Sequence, residues 1–248
     1  MGFVNFINIA NLISGVIALS VSVTILQKNI KLLLNQLLGS GMLCWGLSLI
    51  FNAITFAFLK PAPGARIVRN LTTSLAVLSA FLIFSAALSM YKGEFFLKKW
   101  YILFPFLLIL ITNIVIVVIF DYTTWIDEND LSLGIKTTQA ATWVLAFVYG
   151  MPILMIGIGL YYFIRTQMTV EEELIKKRIQ FFIFGCASII IGALIYALGA
   201  FLEVLFGFDQ TFFEYLYWIL AELFWIVGPV LMLSGFYFKK QQEKITPA

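Results

Sequence analysis

The sequence predicts an all-α membrane protein, a seven-transmembrane-helix bundle with its N-terminus outside and its C-terminus in the cytoplasm. Three observations predict it. Of the 248 residues, 62% are hydrophobic and only 12% are charged, whereas a soluble domain is about half apolar and about a quarter charged. The apolar residues gather into seven runs, each close to or above the roughly 20 residues that span a bilayer. Lys and Arg concentrate in alternate loops, as they do where every second loop is cytoplasmic.

The first run covers 3–26. No basic residue precedes it and it is longer than a signal-peptide core, so it is expected to be retained as a helix. The second covers 33–59 and stops at Lys60-Pro-Ala-Pro-Gly-Ala-Arg66, where two prolines and a glycine predict a loop. The third and fourth, 71–90 and 100–120, are joined by the short polar piece 91–99 and are therefore antiparallel neighbours. An acidic loop containing Asp127, Glu128 and Asp130 leads to the fifth run, 140–164.

Thr169 followed by Glu172 has the spacing of a capping box, and Glu172 with Lys176 and Glu173 with Lys177 form i,i+4 pairs. These predict that the sixth helix, 170–206, begins about two turns before its apolar stretch. The seventh, 212–238, ends at Lys239-Lys240. Seven spans with short loops fill a chain of this length, so 1–248 reads as a single domain with no room for a soluble one. Twelve Lys and Arg lie in the first, third and fifth loops and the C-terminal tail, against four in the N-terminus and the other loops. That bias and the odd number of helices agree on orientation. Trp100, Tyr101, Trp125, Tyr161 and Tyr162 fall near helix ends, as an interfacial belt does. A multi-pass protein of the plasma membrane is the simplest localisation.

Several chemistries are excluded. The chain has no histidine and two distant cysteines, Cys44 and Cys186, both within apolar runs, so it offers no zinc or iron-sulfur ligand cluster and no histidine-based catalysis. Retinal proteins need an interior lysine for the Schiff base, and no apolar run contains one. No serine elbow or phosphate loop is present. A non-enzymatic protein without a cofactor is expected. The formal charge of +3 reflects orientation rather than nucleic-acid binding.

Glu222, in the middle of the seventh run, is the strongest candidate for function, because an ionisable group at that depth costs several kcal/mol unless paired, protonated or hydrated. Glu214, Trp218, Glu222 and Trp225 follow at steps of four, four and three and share one helix face. Asn5, Asn8 and Asn11 form a stripe near the outer end of the first run and, with Glu203, Glu214 and Glu222, would line an outward-facing ligand cavity. The competing reading makes Glu222 and these amides interhelical glue, and leaves Glu203 and Glu214 wetted at helix ends. Asn52 and Asn113 are expected to be structural. Gly39, Gly41, Gly46, Ser188, Gly192 and Gly199 are small residues that let helices approach closely. Pro105, Pro152 and Gly228-Pro229 mark potential joints.

The run Glu171-Glu-Glu-Leu-Ile-Lys-Lys-Arg178-Ile-Gln-Phe-Phe-Ile-Phe-Gly185 resembles a segment of the N-terminal seven-helix sensor region of certain prokaryotic histidine kinases, in which a charged helix leads directly into the sixth span. The resemblance implies a signal-sensing membrane module. Beyond the seventh run only 239–248 remain, too short for a phosphoacceptor helix or a nucleotide-binding domain, so a sensor of this kind is expected to signal through a separate protein at Glu172, Lys176, Lys177 and Arg178. The leading expectation is a receptor or sensor-like protein that binds a small or lipophilic ligand. A proton-coupled transporter or channel using Glu222, and a structural subunit of a membrane complex, are the alternatives.

Overall fold

The computed structural model describes residues 3–58, 63–119, 125–126, 135–136, 142–206 and 212–245, with the side chains of most of them. In chain order these form α1 (Phe3–Lys28), α2 (Leu33–Phe58), α3 (Pro63–Lys92), α4 (Glu94–Leu97), α5 (Trp100–Ile119), β1 (Trp125–Ile126), β2 (Ile135–Lys136), α6 (Thr142–Thr169), α7 (Glu173–Phe206) and α8 (Phe212–Ile245). Among the described residues the stretches Asn8–Lys28, Leu33–Ile54, Asn70–Lys92 and Glu173–Ile195 are long and apolar enough to cross a bilayer, and Leu103–Ile119 and Ile219–Gly235 are shorter apolar stretches. The fold is that of a helical membrane protein.

Several boundaries differ from the sequence reading, each for a local reason. α3 opens at Pro63, not at residue 71. Proline at the first position of a helix gives up only an N–H that has no intrahelical partner, and its φ already suits the helix. Pro63-Gly-Ala-Arg66 is thus a first turn rather than a loop. At the other end Gly93 takes φ +86°, which glycine adopts without steric cost, and its N–H donates to the Ser89 carbonyl at 2.8 Å. The single turn α4 follows and carries Leu97 into the core.

The predicted capping box does not form. Thr169 ends α6, where its hydroxyl donates to the Thr166 carbonyl at 2.9 Å. Glu172 starts the next helix instead, its carbonyl accepting the Lys176 N–H at 2.9 Å, and only residues 170–172 separate α6 from α7. α8 runs on to Ile245, since Lys239-Lys-Gln-Gln-Glu-Lys contains only good helix formers. Inside the acidic loop before α6, β1 and β2 pair antiparallel, Trp125 opposite Lys136 and Ile126 opposite Ile135. The remaining residues of that loop lie outside those described.

Six helices form a closed ring. α1 packs on α2, α2 on α3, α3 on α6, α6 on α7, α7 on α8, and α8 returns to α1; α5 leans on α3 from outside and touches α6. The contacts give each pair its direction. Gly15 approaches Gly46 while Ser22 bonds to Gly39, so α1 and α2 are antiparallel. Gly185 meets Gly228 and Gly192 meets Ala221, so α7 and α8 are antiparallel. Asn11 bonds to Glu222 and Ser14 to Trp225, so α1 and α8 run parallel.

Lipid tails are as apolar as the helices they surround, so association rests on close packing and interhelical hydrogen bonds. A Cβ on Gly185 would lie 2.8 Å from the Gly228 carbonyl oxygen, and one on Gly46 would lie 2.8 Å from that of Gly15. Beside these approaches serine hydroxyls donate to carbonyls of the neighbouring helix: Ser22 to Gly39 at 2.7 Å, Ser79 to Gly41 at 2.8 Å, Ser48 to Thr72 at 2.8 Å and Ser188 to Phe224 at 2.8 Å. Phe84 fills the middle of the core against Phe106, with centroids 4.6 Å apart. Gly199 has no described surroundings.

Gly185→Val is expected to force α7 and α8 apart and to lower stability by about 1–3 kcal/mol, the usual cost of overpacking. Nothing lies within 4 Å of a Cβ on Gly157, so Gly157→Ala is expected to leave stability unchanged or raised. Thermal unfolding midpoints of the two variants in detergent check the contrast; equal midpoints would refute it.

Candidate functional site

The candidate site lies where the ring closes. Asn11 and Ser14 are one turn apart on α1, Glu222 and Trp225 one turn apart on α8, and the parallel course of the two helices brings these pairs into register. Asn11 Nδ2 donates to Glu222 Oε1 at 2.9 Å, and Ser14 Oγ donates to the Trp225 carbonyl at 2.7 Å. Glu222 is 1% exposed and Asn11 is fully buried. Glu222 Oε2 has no hydrogen-bond partner, and no described cation pairs with this carboxyl. A buried polar atom without a partner costs about 1–3 kcal/mol, so this oxygen is the feature of the site that calls for an explanation.

Trp225 forms the wall beside Glu222. Its indole lies across Gly192 of α7, where a Cβ would come within 2.7 Å of Nε1. It also meets Trp45 of α2 edge-on, with centroids 6.1 Å apart. Trp45 Nε1 is buried without a hydrogen-bond partner. An unsatisfied donor of α2, Trp45 Nε1, and an unsatisfied acceptor of α8, Glu222 Oε2, therefore belong to the same region of the bundle.

Comparison with protein-family models, with curated proteins and with solved structures finds no match to this chain. The site is thus read from its own chemistry. Of the residues predicted for it, Glu222, Asn11 and Trp225 come together. Asn8 is buried one turn outward from Asn11, with its Oδ1 unpartnered. Glu203, Glu214 and Trp218 belong to α7 and α8 by backbone, but their side chains lie outside those described. Sequence reasoning missed Trp45 and Ser14. Each is an ordinary core residue by type, and only the meeting of α1, α2 and α8 gives it a role.

Below Glu222 the packing is closed. Gly185 and Gly228 bring the backbones of α7 and α8 into contact, with Met232 alongside. Ser234, the polar residue of the inner half, donates to the Val230 carbonyl of its own helix at 2.8 Å on an exposed face. α8 continues through Pro229 as one helix. Asn113 is buried in α5 and donates to the Phe147 carbonyl of α6 at 3.0 Å, which is a structural role. Cys44 and Cys186 are buried free thiols within helices. Among the described residues no group of His, Cys, Asp and Glu could hold a metal ion.

The residues predicted to contact a partner occupy the start of α7. Glu172 and Lys177 are exposed. Lys176 Nζ is 3.8 Å from Glu173 Oε1, an i,i+3 pair at the surface, where such bridges contribute little. Arg178 is half-buried, its Nε without a partner.

Because glutamine keeps the acceptor for Asn11, Glu222→Gln is expected to fold as the native chain does. Asn11→Ala removes the donor, and a double-mutant cycle of Asn11→Ala with Glu222→Leu is expected to give a coupling of about 0.6–2 kcal/mol, the range of interhelical hydrogen bonds in membranes. Unfolding in mixed micelles measures it; a coupling near zero would mean that the bond does not hold α1 to α8.

Proposed function

We propose that this chain is a non-enzymatic sensor-like protein of the plasma membrane that crosses the bilayer seven times, N-terminus outside and C-terminus cytoplasmic, and passes a signal to a separate protein. Seven helices of 20 residues or more support the count. The parallel course of α1 and α8 agrees with an odd number of crossings. The basic residues favour the ends of α1, α3, α6 and α8 as the cytoplasmic side.

The observation that carries the sensor reading is the half-satisfied Glu222. One oxygen holds α1 through Asn11 and the other has no partner. A small, largely apolar ligand with a polar group that donates to Glu222 Oε2 or accepts from Trp45 Nε1 would gain a desolvated hydrogen bond there. It would change the equilibrium of the α1–α8 contact by its differential affinity for the two arrangements. The transporter alternative needs a water path on both sides of Glu222, and the tight Gly185–Gly228 packing and outward Ser234 speak against one. The resemblance of Glu171–Gly185 to a kinase sensor segment agrees with an output through the start of α7.

A photo-reactive residue at Lys177, activated in native membranes, is expected to capture a cytoplasmic signalling protein that mass spectrometry identifies. Glu222→Gln is expected to change the yield of that adduct while expression and unfolding stay native. Proton flux into liposomes that depends on Glu222 would instead establish transport, and an invariant partner insensitive to Glu222→Gln would make the chain a structural subunit.

A further inference from the structure

At the basic ends of α3 and α6 three tyrosines meet outside the site described above. Tyr91 stacks on Tyr162, centroids 5.4 Å apart and planes at 28°, and Tyr161 meets Tyr162 edge-on at 5.6 Å. A cation covers each outer edge. Lys92 Nζ lies 4.7 Å from the centroid of Tyr91. Arg165 Nε donates to the Tyr161 hydroxyl at 3.0 Å, with its guanidinium carbon 5.3 Å from that ring's centroid, and Tyr91 is within its electrostatic reach. Two helices thus hold two cations around one aromatic cluster.

The neighbouring turn repeats the pattern. Lys98 Nζ lies 5.2 Å from the Phe95 ring centroid, Phe95 is 80% exposed and Trp100 is 74% exposed. Among the described residues none of Lys92, Lys98, Lys99 and Arg165 is paired with a carboxylate. The acidic residue of this segment, Glu94, is exposed in α4. Large aromatic rings in the open beside unpaired cations suit the boundary between lipid headgroups and acyl chains. The apolar faces of α5 at Phe104, Leu108 and Ile111 are exposed next to them, as a surface for acyl chains would be.

We infer that the Tyr91–Tyr161–Tyr162 cluster with Lys92 and Arg165 is a headgroup site for an anionic phospholipid, the phosphate seated between the ammonium and the guanidinium. The tyrosine hydroxyl fixes the guanidinium fork, which suits the bidentate geometry of phosphate oxygens. The lysine adds a point charge from the other helix, and Lys98 and Lys99 add attraction for an acidic leaflet. The inference rests on the reading that α3 and α6 end at the cytoplasmic surface, and its failure can be told from the failure of that reading.

The test is native mass spectrometry of the full-length chain released from detergent with phosphatidylglycerol, phosphatidylcholine or inorganic phosphate added. Phosphatidylglycerol is expected to be retained in preference to phosphatidylcholine. K92Q/R165Q is expected to weaken its binding about twenty-fivefold, at about fivefold per charge, while K92R and K176Q/K177Q retain it. If the double variant fails to fold, each single substitution is expected to show its own fivefold loss. Tyr161→Phe keeps the ring, frees the guanidinium and is expected to lower affinity severalfold.

Equal retention of the two lipids, or an unchanged K92Q/R165Q, would overturn the site. Displacement of the lipid by inorganic phosphate at comparable concentration would overturn the lipid as its source. Labelling of Glu94→Cys by an impermeant maleimide from outside intact cells would instead overturn the orientation, with the headgroup preference still present.

Discussion

The ring of helices depends on the closure between α1 and α8. The pairs of the ring that follow one another in sequence are joined by short connections, and α3 and α6 run parallel where Gly159 approaches the backbone of Phe84. The first and last helices have no short connection, since almost the whole sequence separates them. Among the described contacts, hydrogen bonds from Asn11 to Glu222 and from Ser14 to the Trp225 carbonyl hold them there. Because both advance by three residues in the same sense, they determine register and direction together. Two parallel ends agree with an even number of turns between them.

The rest of the ring shows why so apolar a chain does not pack at random. Hydrophobicity selects the membrane but cannot choose partners within it, because a leucine gains little by leaving lipid for another leucine. Selection falls to residues that either remove bulk or add a directed bond. Gly15 with Gly46, and Gly185 with Gly228, bring backbones together without intervening side chains. Serines placed near such contacts reach a carbonyl that already accepts within its own helix, using its second lone pair. The α7–α8 pair has both devices on one seam, Ser188 bonding to Phe224 between the Gly185 and Gly192 contacts.

The helices were legible in the sequence because long apolar runs leave little alternative, and Gly39, Gly41, Gly46 and Gly192 stood out as contact residues by type, whereas Gly15, Gly185 and Gly228 did not. The ends were not. Pro63 breaks a helix in its interior but begins one readily, so the same residue supports opposite readings until its position is known. Thr169 and Glu172 have capping spacing, yet α6 continues through Thr169 because its hydroxyl is satisfied by the carbonyl of Thr166. Glu222 was found from depth alone. Its link to Asn11 lay within the proposed stripe of amides, and here the two competing readings merge: Asn11 is glue and also the one donor to the candidate carboxyl. Trp45 carried no signal, since an indole in a long apolar run looks like core, and its unsatisfied N–H appears only with the fold.

The strengths of these contacts differ, and the difference bears on how a signal could cross the protein. α7 and α8 touch backbone to backbone over several turns, so separating them means losing packing along the whole seam. α1 and α8 meet at the Asn11–Glu222 and Ser14–Trp225 hydrogen bonds, and there the carboxyl retains an unsatisfied oxygen. On the proposed sensor reading, the two-state element is the α1–α8 seam, where the carboxyl keeps an unsatisfied oxygen, and α7–α8 moves as one body. On that reading, a polar group that engaged the free Glu222 Oε2 would satisfy the carboxyl beside the Asn11 bond and change the balance of that seam while leaving α7–α8 intact. The pair would then tilt as a unit, and the three-residue link from α6 to α7 would give the charged first turn of α7 little freedom except to follow.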